Sequence, residues 1–193
     1  YKFFGCRGSG VAWLSERCAK LPHNRILCYP EDWWELGSVA PHQFAGYTAI
    51  VDYVCWIGSK FIESTDRRKL FVEGMTRIEL HERALLYRAL EGTEAVPGLR
   101  RIPGVKVQCD NPDLTKRDFI LPITFDNIDP IRGAEELCKR GIYVYERVAP
   151  NHYSKRIVES LGLDGVIRVS PIHCNATWEV DEFLKAAAEV AKL

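Results

Sequence analysis

The stretch GVIRVSPIHCNATWEVDEFL (165–184) decides how the chain is read. Its first half is a β-branched run with one arginine in the middle, and residues 165–172 are expected as a strand. Its second half opens a helical period. Val180, Phe183, Leu184, Ala187 and Ala191 fall on one side, so a closing helix is expected over 177–192. A strand leading into an amphipathic helix needs a sheet on one side and a core between the two layers.

The same texture extends upstream. VKVQC (105–109), FILPITF (119–125) and IYVYE (142–146) read as further strands. Pro130–Arg140 reads as a helix, with Gly141 where a C-terminal cap is wanted, and HYSKRIVESLGL (152–163) as another. Residues 63–193 are therefore expected to form an α/β sandwich of a small sheet with helices packed on it. Before it lies a different region, 1–62, with the boundary near 62–66. There SGVAWL (9–14) reads as a short buried strand, SERCAKL as a brief helical turn and 22–40 as loop. A helix is expected from about 41 to 60, with Pro41 in its first turn and Phe44, Ile50, Val51, Val54 and Phe61 on one side. YTAIVDYVCWIG (47–58) is too short to span a bilayer and contains Asp52, so it is expected as a buried helix. A longer helix follows at 66–91, with Phe71, Met75, Ile78, Leu85 and Ala89 on its apolar face and DRRK (66–69) as a solvated first turn.

Composition narrows the function classes. Of 193 residues, 47% are hydrophobic and 27% charged, as a packed core requires. Lys+Arg and Asp+Glu balance at 26 each, which gives no electrostatic reason to expect nucleic acid or a membrane surface as partner. The seven cysteines, at 6, 18, 28, 55, 109, 138 and 174, include no C-x-x-C pair. This argues against a disulfide framework and a zinc site, and for reduced thiols in the cytoplasm. No leader is expected, because Lys2 precedes no long apolar run.

A few residues invite chemistry. Lys2 in YKFFGCRGSG (1–10) is either a solvated terminal residue or a desolvated amine beside Tyr1, Phe3 and Phe4. Desolvation lowers an ammonium pKa and frees the amine as nucleophile and base. Arg168, mid-strand, is either salt-bridged to a carboxylate or a bidentate clamp on a substrate carboxylate. Asn175 or Thr177 is expected to cap the closing helix, and Cys174 to be a buried small hydrophobe. His152 and Tyr153 either face a cleft or close a loop. Gly37 and Ser38, just ahead of a helix N-terminus, suit an anion such as phosphate or a plain cap. Trp33 and Trp34 are core anchors or an interface patch.

Together these segments resemble the class V aminotransferases, fold-type I pyridoxal-phosphate enzymes that include the cysteine desulfurases. KFFGCRGSGVAWLS is similar to the segment following the family's Schiff-base lysine, ELGSVAPHQFAGYTAIVDYV to its E-x-G-T-P-N stretch, and RVSPIHCNATWEVDEFL to its closing R-x-S…Y-N-T-x-E-E motif. GIYVYERVAPNHYSKRI is similar to the desulfurase-like branch. The resemblance implies the C-terminal half of such an enzyme: the end of the cofactor-binding large domain over 1–62, and a small α/β domain with a mixed or antiparallel sheet over 63–193. It implies pyridoxal 5'-phosphate as cofactor and a small amino acid as substrate. Lys2 is then the catalytic Schiff-base lysine, and Ser38 with Gly37 touches the cofactor phosphate across a homodimer. Arg168, with His152, Tyr153 and Asn175, binds substrate. The missing N-terminal half supplies the rest of the cofactor site.

The chain departs from the desulfurase pattern where the persulfide loop cysteine belongs: the stretch reads YERVAPNHYS, with no cysteine between 139 and 173. Cys174 and Ala176 also replace the motif's tyrosine and threonine. The implied reaction is therefore a C–S lyase, transferase or epimerase step rather than persulfide relay. The alternative is a non-catalytic α/β binding or dimerisation module.

Overall fold

The computed structural model describes residues 4–5, 7–8, 10–38 and 40–193. Two compact units divide the chain, Tyr1–Met75 and Thr76–Leu193. The division falls inside a helix, downstream of the expected 62/63 boundary.

The first unit holds a single turn of helix, α1 (Glu16–Ala19), then α2 (Pro41–Gly58) and the start of α3 (Arg67–Glu91). Pro41 opens α2 because its fixed φ suits a first turn that needs no N–H. Asp66 caps α3, its carboxylate accepting from the N–H groups of Arg68 and Lys69 at 2.8 and 3.3 Å. Glycine lets the helices meet. A Cβ at Gly58 would stand 2.0 Å from the Leu70 carbonyl oxygen, and one at Gly74 2.1 Å from that of Val54. Around this crossing Val54, Cys55, Gly58 and Gly74 are buried.

Two expectations for this unit are corrected. Residues 10–14 of SGVAWL form no strand, and Val11 and Trp13 are exposed, because they have no paired neighbour among the described residues. The helix over 47–58 is not buried throughout. Phe44, Val51 and Phe61 of the expected inner face are exposed, and the face that packs is the one carrying the small Gly58.

The second unit is built on a four-stranded sheet of β1 (Val105–Val107), β2 (Leu121–Phe125), β3 (Tyr145–Val148) and β4 (Gly165–Val169). The spatial order is β1-β2-β4-β3 and every pairing is antiparallel. Leu121, Ile123 and Phe125 alternate inward along β2, and the register puts Val169 beside Leu121 and Ile167 beside Ile123. This row meets Leu85, Leu86, Ala89 and Leu90 of α3, Ala134 and Leu137 of α4 (Pro130–Lys139), and Val180, Leu184, Ala187 and Val190 of α6 (Thr177–Val190) in one hydrophobic core. The fold is thus α/β, with helices packed on a small antiparallel sheet.

Local signals explain the element ends. Asp129 caps α4 through the N–H groups of Ile131 and Arg132, and Gly141 ends it at φ 81°, a conformation that glycine adopts freely. Strand β3 begins three residues later than expected, where Tyr145 pairs with Arg168. The helix expected over 152–163 is the shorter α5 (Lys155–Ser160). Among the described residues, no helix is long and apolar enough to cross a membrane.

Candidate functional site

Arg168 stands between Pro122 on β2 and Tyr145 on β3, its direct partners across the sheet. These three residues lie on the face opposite the apolar row, because side chains alternate along each strand. Arg168 lines a cavity of about 410 Å³ with Tyr145, Phe119, Phe183, Asn175 and Glu179. Its Nε is buried without a hydrogen-bond partner, and no carboxylate among the described residues forms an ion pair with it. The salt-bridged reading of this arginine therefore gives way. An unmet buried donor costs about 1–3 kcal/mol, more for a charged group. A planar cation with an unused donor suits an incoming carboxylate, which can accept two of its N–H groups at once.

The turn after β4 forms one wall. Asn175 does not cap α6: its Oδ1 accepts from the Ile172 N–H at 2.9 Å, and its Nδ2 donates to Glu179 at 3.3 Å. The N-cap is Ala176, which has no side-chain acceptor, so neither Asn175 nor Thr177 fills the expected role. Glu179, three residues on, reaches back to accept from the Ala176 N–H at 2.7 Å, one half of a capping box. Two residues of α3 hold the turn from the other side. Glu82 accepts from the His173 N–H, and His81 Nε2 donates to the Asn175 carbonyl, each at 3.0 Å. A carbonyl oxygen can only accept, so Nε2 carries the proton there. Cys174 is exposed, not buried.

The other predicted residues lie elsewhere. His152 and Tyr153 are exposed in the loop before α5, their rings 5.6 Å apart, and neither lines the Arg168 cavity. In the first unit, Gly37 and Ser38 are exposed ahead of α2. The α2 N-cap is Ala40, without a side-chain hydrogen bond, so Ser38 is not the cap. Trp34 stacks on His23 at 3.9 Å and Trp33 on Tyr29 at 5.4 Å, both on the surface. Lys2, with Tyr1 and Phe3, lies outside the described residues. Among the described residues, no cluster of histidine, cysteine or carboxylate side chains suits a metal ion.

Tyr145, Glu179, His81 and Glu82 were not singled out from the sequence. Glu179 carries a local signal, an acid three residues after the helix cap. His81 and Glu82 carry none, since they meet the turn across 94 and 91 residues of chain.

No protein-family model matches the chain. It is 29% identical over 119 residues to the probable cysteine desulfurase 1 of Mycobacterium leprae, a span of 62% of this chain and 18% of that protein. The apo cysteine desulfurase of Thermococcus onnurineus superposes over 97% of this chain and 39% of its own, with a TM-score of 0.62 and 22% identity. The cysteine desulfurase CsdA of Escherichia coli, in its S-sulfonic acid form, superposes over 82% of this chain and 32% of its own, with a TM-score of 0.55 and 17% identity. The chain thus spans well under half the length of each of these relatives. It has the fold of part of a cysteine desulfurase, and the resemblance to the class V aminotransferase family drawn from its motifs stands.

Proposed function

We propose that this chain is part of a pyridoxal-phosphate enzyme that acts on a small amino acid, with desulfurase-like C–S lyase or aminotransferase-type chemistry. One observation carries the reading: Arg168, in a cavity of the second unit, has a buried Nε with no hydrogen-bond partner among the described residues. A substrate carboxylate supplies the missing acceptor.

The residues present fit the cofactor in part. Its phosphate needs small residues and unclaimed N–H groups. Gly37 has nothing within 4 Å of where a Cβ would stand, Ser38 is exposed nearby, and among the described residues no side chain caps the first turn of α2. When bound, the cofactor supplies an electron sink for charge developing at the substrate Cα.

The chain's own residues then divide the work. Arg168 holds the substrate carboxylate and so orients the Cα–H bond. Lys2 anchors the cofactor and moves the Cα proton at its Nζ. Ser38 and Gly37 hold the phosphate, in a homodimer. The absence of a cysteine between 139 and 173 favours direct lyase or transferase chemistry over sulfur relay. A remaining N-terminal half supplies the partner of the cofactor ring, and the setting is cytoplasmic.

Two measurements test this. Borohydride fixes the cofactor to the lysine that holds it, so peptide mapping of the enzyme containing this chain is expected to recover the adduct on Lys2; an adduct on another lysine overturns the assignment. Arg168→Gln is expected to raise KM for the amino acid about a hundredfold with cofactor affinity kept, the size of a lost charge-assisted pair. An unchanged KM removes Arg168 from the site.

A second reading, a non-catalytic binding or dimerisation module, draws on the continuous core of the second unit. A protein that stays colourless with added cofactor and its N-terminal half favours that reading.

A further inference from the structure

The wall of the Arg168 cavity is a turn, and a turn of this length has little intrinsic rigidity. Residues 171–176 lie between β4 and α6 and form no regular element. Pro171 and Asn175 nevertheless line the cavity, so their placement sets its shape. The turn is held mainly by side chains, with one backbone hydrogen bond within it. The N–H of Ile172 goes to Asn175 Oδ1, that of His173 to Glu82, that of Asn175 to the Ile172 carbonyl and that of Ala176 to Glu179. The holds from Asn175 Oδ1, the Ile172 carbonyl and Glu179 are local to the turn and α6. The others come from α3: Glu82 takes the His173 N–H at 3.0 Å and lies 3.7 Å from the His173 ring nitrogen Nδ1, while His81 Nε2 donates to the Asn175 carbonyl.

We propose that Glu82 and His81 are positioning residues for the Arg168 cavity: they fix the 171–176 turn from α3 and thereby set the affinity of the cavity for a carboxylate. Neither residue lines the cavity, so each acts through the turn. Adjacent on α3, they grip the turn at two points, one accepting an N–H and one donating to a carbonyl. Losing the His81 grip frees the Asn175 carbonyl, and losing the Glu82 grip frees the His173 N–H two residues earlier in the same turn. The inference rests on the reading of Arg168 as a carboxylate-binding residue.

The test is a titration of the 193-residue chain with L-alanine, following the Arg168 Nε–H signal and the backbone amides of 168–170 by NMR. The wild-type chain is expected to give a saturable shift that Arg168→Gln abolishes. Glu82→Ala and His81→Ala are expected to bind about three- to tenfold more weakly, the size of one lost hydrogen bond. Glu82→Gln keeps an acceptor oxygen and is expected to bind within about twofold of wild type. Wild-type affinity in Glu82→Ala and His81→Ala overturns the inference and leaves the Arg168 reading standing, even if melting temperatures fall. Equal weakening in Glu82→Gln and Glu82→Ala also overturns it. If Glu82→Ala does not fold, His81→Ala decides. If the wild-type chain shows no saturable shift, the Arg168 reading fails and the inference falls with it.

Discussion

The two units bury apolar surface very differently. In the second, α3, α4, α6 and the strands β2 and β4 contribute fully buried or nearly buried side chains to one cluster, with Val105 and Val107 of β1 partly buried against it. In the first, the buried hydrophobic residues among those described are Val54 and Cys55. Trp13, Leu27, Phe44, Trp56 and Phe61 remain exposed there. At about 25 cal/mol per Å² of buried apolar area, burial that sparse offsets little of the conformational entropy lost on ordering a chain. The first unit therefore depends on close backbone approach at one helix crossing, whereas the second depends on volume-filling side chains.

That contrast can be broken in a graded way. Leu184→Ala removes a fully buried side chain from the second unit and is expected to cost about 2–5 kcal/mol in urea unfolding of the whole chain. A loss below about 1 kcal/mol would mean that this core is not the seat of stability. Gly58→Ala drives a methyl into the Leu70 carbonyl and is expected to cost about 1–3 kcal/mol locally. It should appear as faster amide exchange through α2 and residues 67–74, and unchanged exchange there would remove the crossing as the support of the first unit.

Asp181→Asn is expected to have the smallest effect. Arg88 makes two 2.7 Å hydrogen bonds to the Asp181 carboxylate, tying α3 to α6 in the second unit. The Arg88 guanidinium holds the Asp181 carboxyl below the usual carboxylate range. A depressed folded pKa stabilises fully above the unfolded value, near pH 4, and the stabilisation is lost as pH falls through the folded value. Partial exposure screens the pair, so the variant should cost about 1 kcal/mol at pH 7. The gap from wild type should narrow as pH falls below about 4; a gap that persists at low pH would mean the loss is one of packing rather than charge.

Periodicity and caps made the helices of the second unit legible. Asp129–Pro130 opens α4, Gly141 follows its end, and the spacing of Val180, Phe183, Leu184 and Ala187 identifies the buried side of α6. Apolar runs misled where pairing decides. SGVAWL has the composition of a strand, but its residues 10–14 have no paired neighbour among the described residues, and β3 starts at Tyr145 because its register is set by β4. The arginine of the candidate site was legible as a mid-strand cation. Its unsatisfied Nε was not, since that depends on which carboxylates the fold leaves out of reach. Nor was the grip of Glu82 and His81 on the 171–176 turn, a contact between distant parts of the chain.

The strand order also has a kinetic consequence. β3 and β4 are joined by residues 149–164, a short connection holding only α5, so they can pair while most of the chain is still open. β2 must reach β4 across 126–164, a longer loop whose closure costs more entropy. Arg168 lies on that seam, opposite Pro122. Pulsed hydrogen exchange during refolding is expected to protect the β3–β4 amides before the β2–β4 amides, and the reverse order would refute this. The Arg168 cavity would then be among the last features to form, so a partly folded chain would show sheet signals before that cavity is complete.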